Sequence, residues 1–269
     1  MICTGSGVQA VTISRNASLK LKPQVIYFLP TALIPTVYLP DASIFKKKDS
    51  MMIKEQVRQI LAALPVGVQL VGAAKTRTPQ EIEAAIAGGL EIVGENYVQE
   101  AEQAFAIIGS KVKWHLIGHL QSNKAKKAVR VFDMIETVDS FKLAKALDQA
   151  CAELGKILPI LIEINSAEEK QKAGVMPVEA IALVREISVL SQVKVRGLMT
   201  MGPLSGAPEE SRLYFQKTKQ LFAQLKAMAL PGVEMRYLSM GMSDSYKIAI
   251  EEGANLVRVG TALFGPRPV

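Results

Sequence analysis

The sequence is poor in cysteine, in histidine and in long apolar runs, and each shortage narrows the reading. Its two cysteines, Cys3 and Cys151, fit no zinc or redox spacing, so a reducing, cytoplasmic compartment is the default. Its two histidines, His115 and His119, begin in a predicted strand and end in a loop. They therefore do not share a helix face and have no third ligand, which favours packing or hydrogen bonding over a metal. No apolar run reaches the roughly 18 residues that a membrane-spanning helix needs. The basic stretch "NKAKKAVR", with Lys124, Lys126, Lys127 and Arg130, has no interleaved aromatics and reads as a solvated helix face, not a nucleic-acid surface.

What is present is a core. The chain has 269 residues, 49% of them hydrophobic, enough for either two domains or one α/β barrel. The formal charge of +7 is unevenly placed. Residues 1–50 hold six basic and two acidic side chains, and the remaining 26 basic and 23 acidic ones nearly cancel. The folded part is thus only mildly basic, weak support for a nucleic-acid partner. Residues 1–50 lack helical periodicity and carry Pro23, Pro30, Pro35 and Pro40, which interrupt any secretory apolar core. They read as an N-terminal extension: poorly ordered, an organelle transit peptide, or a gene-model artefact ahead of a start at Met51 or Met52. The last is favoured because "MMIKEQVRQILAALP" begins a clean amphipathic helix.

From residue 51 to residue 269 short apolar runs alternate with helical patterns. The runs are 68–74, 90–94, 112–118, 132–138, 157–165, 193–199, 233–239 and 254–260. Eight strands separated by helices imply a parallel sheet, and that many units in this length suit a single closed (β/α)₈ TIM barrel. An open doubly wound sheet is the alternative, but no G-x-G-x-x-G follows the first strand.

In such a barrel the chemistry sits at the carboxyl ends of strands, and side-chain alternation says what points inward. Val71, Ala73 and Lys75 share one face of the first strand. In "PILIEIN", Leu161, Glu163 and Asn165 oppose Ile160, Ile162 and Ile164. In "NLVRVGT", Leu256, Arg258 and Gly260 face the interior, while Val257 and Val259 face helices. Lys75 is thus expected at the barrel mouth, where partial desolvation favours a nucleophilic amine able to form an imine with an aldehyde. A snorkelling lysine at a strand end is the ordinary reading of such a residue. Two further stretches weigh against it. "LSMGMSDSYKIAI" offers Ser239 and Gly241 after strand seven, and "RVGTALFG" offers Gly260 and Thr261 after strand eight. Small residues, hydroxyls and free N–H groups in these two loops are the usual means of phosphate binding. A lysine, a phosphate cradle and an inward arginine together are what pyridoxal phosphate requires. An arginine beside the pyridine nitrogen leaves the ring a weak electron sink, suited to holding the cofactor or to simple racemisation. Arg258 paired with Glu163 inside the barrel is the structural alternative.

The stretches "VGAAKTRTPQEIEAAIAGGLEIVGENYVQE", "WHLIGHLQSNKAKKA", "GLMTM" and "LSMGMSDSYKIAIEEGANLVRVGTALFG" together resemble the pyridoxal-phosphate homeostasis protein family. That family is similar to the barrel domain of alanine racemase. The likeness runs from about residue 52 to residue 267. It implies pyridoxal 5'-phosphate held as an aldimine at Lys75, phosphate held by Ser239, Gly241, Gly260 and Thr261, and Arg258 facing the ring nitrogen. It further implies that Asn96 and Met199 line the ring. The family resembles a set of cofactor carriers without established turnover.

Racemisation needs an acid or base on each face of the imine, and Lys75 could serve one face alone. Alanine racemase takes its second group, a tyrosine, from a second domain, and this sequence ends at Val269, directly after strand eight. Binding without efficient turnover is therefore the expectation, with no catalytic residue assigned. PLP-dependent apoenzymes are the expected receivers, and the protein is expected to be a monomer. An alanine-racemase-type enzyme and a Schiff-base sugar-phosphate aldolase are the alternatives.

Overall fold

The computed structural model describes residues 42–169, 171–202 and 207–266. The expected extension lies outside these residues as far as 41. Eight parallel strands close into one barrel in chain order: β1 Gln69–Ala73, β2 Ile92–Glu95, β3 Lys113–Leu116, β4 Met134–Val138, β5 Leu158–Glu163, β6 Val193–Met199, β7 Val233–Ser239 and β8 Leu256–Val259. Closure comes from β1 pairing with β8, Val71 opposite Arg258, as well as with β2. The closed sheet, not the open one, is what forms. Parallel neighbours need crossover connections, and the amphipathic segments between strands supply them as outer helices.

Helix α1 spans Ala42–Ala63 and starts ahead of Met51, so the run "FKKKDS" lies within it. It packs by Ile53 and Val57 against the α2 side of the shell, and Gly88 permits the approach. A Cβ at Gly88 would come within 2.7 Å of the Lys54 carbonyl oxygen. Helix α2, Pro79–Ala87, begins with a capping box: the Thr78 hydroxyl accepts from the Glu81 amide, Glu81 answers at the Thr78 amide, and Pro79 presets the first turn. Helices α3 Val98–Ile108, α4 Ala125–Val131, α5 Phe141–Leu154, α6 Pro177–Ser188, α7 Ser211–Ala227, α8 Tyr246–Glu251 and α9 Thr261–Phe264 complete the shell.

Two apolar layers result. The larger joins helices to the outer face of the sheet through Ile160, Ile162, Ile164, Val257 and Val259. The smaller fills the lumen with Val71, Ile92, Ile117, Met134, Leu161, Met199 and Leu256. The expected alternation therefore holds on β1, β5 and β8. The lumen is not wholly apolar, because Glu136, His115, Ser239 and Arg258 are all buried in its middle.

Candidate functional site

Strand β1 ends at a tight turn in which the Arg77 amide donates to the Ala74 carbonyl at 2.8 Å. Thr76 takes a left-handed φ of 66°, a cost for a β-branched residue, and its amide donates to the Glu100 carboxylate. This bend aims Lys75 across the carboxyl-terminal mouth, half-buried, with its Nζ 5.2 Å from the centre of the Tyr97 ring.

Lys75 lines a cavity of about 340 Å³ together with Asn96, Ser243, Arg258, Gly260 and Thr261. Five of the eight expected residues, Lys75, Asn96, Arg258, Gly260 and Thr261, thus face one space. Arg77, Met201 and Met242 form more of its wall. Arg77 is fixed by Glu81, by the carbonyls of Gly265 and Pro266, and by stacking over Phe264, so the segment after α9 is tied to the turn after β1.

The other three residues lie elsewhere. Ser239 is fully buried in the lumen; its hydroxyl donates to Glu136 Oε2 at 2.6 Å and accepts from Arg258 Nη1. Gly241 forms a turn at φ 87° packed on α8, where a Cβ would come within 2.6 Å of Ala249 Cβ. Met199 belongs to the lumen layer. The hydroxyl that faces the cavity in this loop is that of Ser243. Its Oγ accepts from the amides of Gly260 and Ala262, at 3.2 and 3.3 Å, and lies 3.3 Å from Thr261 Oγ. Three donors of the β8 loop thus converge on the Ser243 oxygen of the β7 loop, which gathers two hydroxyls and two amides into one cluster beside the cavity, groups of the kind that bind anions. Ser243 was visible in "SMGMSDSYK" as the hydroxyl after the second methionine, but strand periodicity does not extend into a turn.

Arg258 stands on the cavity wall, 3% exposed. Its Nη2 donates to the Thr200 carbonyl at 2.7 Å, its Nη1 to Ser239, and its Nε has no hydrogen-bond partner among the described residues. Burial lowers the guanidinium pKa, against the opposing charges of Glu136 and Glu163. Among the described residues the carboxylate within ion-pair distance is Glu136, at 3.9 Å, and not Glu163. Burial alone would push Glu136 up, but His115, then Arg258 and Ser239, outweigh it and hold the carboxyl below its ordinary range. Burial, with some help from Asp139, raises Glu163 to about 7 despite Arg258. A primary amine, a guanidinium with a spare donor, and a cluster of hydroxyls and amides therefore share one cavity, a donor set that fits an aldehyde-bearing phosphate ester on an aromatic nitrogen ring.

Away from this cavity, His119 Nδ1 is 3.7 Å from Asp139, and His115 pairs with Glu136 inside the barrel. Among the described residues no group of three His, Cys, Asp or Glu side chains could hold a metal ion, and no helix is long and apolar enough to cross a membrane.

A (β/α)₈ barrel with a lysine and two loops of small and hydroxyl residues at its carboxyl-terminal mouth defines a class, and comparison with known proteins agrees: residues 49–268 match the family described as alanine racemase, N-terminal domain. Within it, the chain belongs to the pyridoxal phosphate homeostasis protein family. It is 39% identical over 203 residues to the Aquifex aeolicus member, covering 74% of this chain and 87% of that protein. It is 34% identical over 220 residues to the Schizosaccharomyces pombe member, covering 81% and 91% respectively. PipY of Synechococcus elongatus, solved with PLP bound, is 39% identical with a TM-score of 0.73 over 79% of this chain and all of that one. An alanine racemase of Clostridium difficile matches with a TM-score of 0.69 at 14% identity, a likeness of fold alone.

Proposed function

We propose that this chain binds pyridoxal 5'-phosphate at the carboxyl-terminal mouth of the barrel, covalently through Lys75, and serves as a carrier in cytoplasmic vitamin B6 homeostasis. The observation that carries this reading is the single cavity shared by Lys75, Arg258 and the Ser243–Gly260–Thr261 cluster. When bound, the cofactor supplies an aldehyde carbon and a phosphate group. Lys75 supplies the amine. Ser243, Thr261 and the amides of Gly260 and Ala262 hold the phosphate. The free Nε of Arg258 addresses the ring nitrogen without protonating it, which keeps the ring a weak electron sink. Asn96 borders the ring. Relatives named for homeostasis and a neighbour solved with PLP bound support binding over racemase turnover. The receivers are PLP-dependent apoenzymes, and the carrier works as a monomer.

Purified protein incubated with pyridoxal phosphate and then desalted is expected to keep a visible absorption band that Lys75→Ala lacks. Borohydride reduction followed by peptide mass analysis should place the pyridoxyl group on Lys75. A wild-type protein that stays colourless would reject the proposal.

A further inference from the structure

The opposite end of the barrel holds a second hollow, of about 260 Å³, that the proposed function does not use. It opens between the amino-terminal parts of the strands and is lined by Lys113, His115, Asp133, Arg196, Arg236 and Tyr237, among others. Three of these carry positive charge and one negative. The Asp133 carboxylate already accepts from the Trp114 amide at 2.8 Å, and Arg196 is paired with Glu234. Lys113 and Arg236 have no carboxylate within ion-pair distance among the described residues, and Arg236 is held over the Tyr237 ring at 5.1 Å. Two unspent cations thus border a concave space.

His115 forms the roof. It is 4% exposed, its Nδ1 lies 2.7 Å from Glu136 Oε1, and its Nε2 has no partner among the described residues. Glu136 occupies Nδ1, so Nε2 is the nitrogen left for a ligand. A phosphate-type oxyanion suits all of these groups at once. Its oxygens accept from the guanidinium and the ammonium, and it can meet Nε2 either as an acceptor or through an O–H as a donor. A carboxylate can only accept. Glu136 also continues upward, since its Oε2 accepts from Ser239 and Ser239 accepts from Arg258 on the cofactor cavity wall.

We propose that the hollow is a binding site for a phosphate-type oxyanion, linked through His115, Glu136 and Ser239 to Arg258. The site stands on its own residues, and only the linkage rests on the cofactor reading. The test is a titration of the full chain with inorganic phosphate, followed by nitrogen NMR of the His115 ring. The His115 signal is expected to shift with saturation. Lys113→Ala/Arg236→Ala should weaken the response at least tenfold, while Ser243→Ala, which disables the upper phosphate seat, should leave it intact. No shift, a shift unchanged in the double variant, or one lost with Ser243→Ala would overturn the site. In cofactor-loaded protein, phosphate is expected to change the rate of cofactor release at least threefold in wild type and not in the double variant. Equal release rates in a protein whose His115 does respond overturn the linkage. A chain that takes up no cofactor rejects the proposed function alone, because the phosphate titration needs none.

Discussion

Ser239 and Glu136 meet across the barrel lumen, hydroxyl to carboxylate at 2.6 Å, and the same hydroxyl receives Arg258. A serine therefore mediates between an acid and a base that stand 3.9 Å apart with almost no access to water. Ser239→Ala leaves a carboxylate oxygen and a guanidinium N–H short of partners, at an expected cost of about 1–3 kcal/mol in urea unfolding. Ser243→Ala, on the cavity rim, should change stability by less than about 1 kcal/mol. It should instead weaken pyridoxal phosphate binding roughly tenfold, equivalent to about 1.4 kcal/mol. Cofactor titration alongside unfolding separates the two serines. If their effects are exchanged, the phosphate is seated on Ser239.

Lys75 is only half-buried and makes one ring contact, so its removal should leave the fold intact. Lys75→Ala is expected to unfold within about 0.5 kcal/mol of wild type. Lys75→Arg keeps the charge but offers no amine able to condense with an aldehyde, and should lose the visible band equally. Calorimetry and absorption spectra of both variants check this, and a band that persists in Lys75→Arg would move the attachment elsewhere.

Most of the barrel was legible in the sequence because strand alternation is set by the pleat. Val71, Leu161 and Leu256 face inward and Ile160, Ile162 and Val257 outward, as period two requires. The mouth was legible only as far as strands reach it. Arg258 follows from the register of β8 and Lys75 from that of β1 carried two residues past its end at Ala73, whereas Ser239, Gly241 and Ser243 lie at or beyond the end of β7. There the chain turns, and no periodicity says which hydroxyl faces the cavity. Glu136 was missed because a carboxylate in a run such as "FDMIETV" betrays its role only through partners on other strands: His115, Ser239 and Arg258. The start of α1 at Ala42 was hidden for a different reason. Residues 1–50 show no helical periodicity, yet the lysines that end them cost little in a helix.

Gly118 is expected to control the cavity without touching the cofactor. A Cβ there would stand 2.3 Å from the Asn96 carbonyl oxygen and 2.7 Å from its Cα, and both are backbone atoms that cannot rotate aside. Gly118→Ala must displace the segment after β2 that carries Asn96. The expected result is a cofactor affinity lowered about tenfold, or ~1.4 kcal/mol, with the imine band still formed through Lys75. Gly155→Ala serves as the control, since its Cβ would meet nothing within 4 Å. Although its φ of 61° carries some strain, Gly155 lies far along the chain from the site, and its effect should fall on stability alone. Unaltered affinity in Gly118→Ala would show that Asn96 does not border the ring.

Glu95 should make stability fall as the solution becomes more alkaline. It is 2% exposed, its Oε2 has no partner among the described residues, and burial, then the charge of Glu100, raises its pKa to about 8 against the Asn96 amide. The folded protein thus keeps a proton that the unfolded chain gives up near the ordinary carboxylate pKa. Between about pH 5 and pH 8 the unfolded state binds fewer protons, so raising the pH favours unfolding, by at most ~1.4 kcal/mol per unit for one group. Below that window both states are protonated and the full stability remains; above it both are ionised and the slope vanishes. Glu163, raised to about 7, adds a descent of the same sign, whereas Glu136, held low, costs stability only on the acid side. Glu95→Gln keeps the shape without the charge. Urea midpoints measured from pH 5 to pH 9 should show this variant overtaking wild type as the pH rises, with the two close together at pH 5. Parallel curves would mean that Glu95 is ionised in the native protein and that water reaches it.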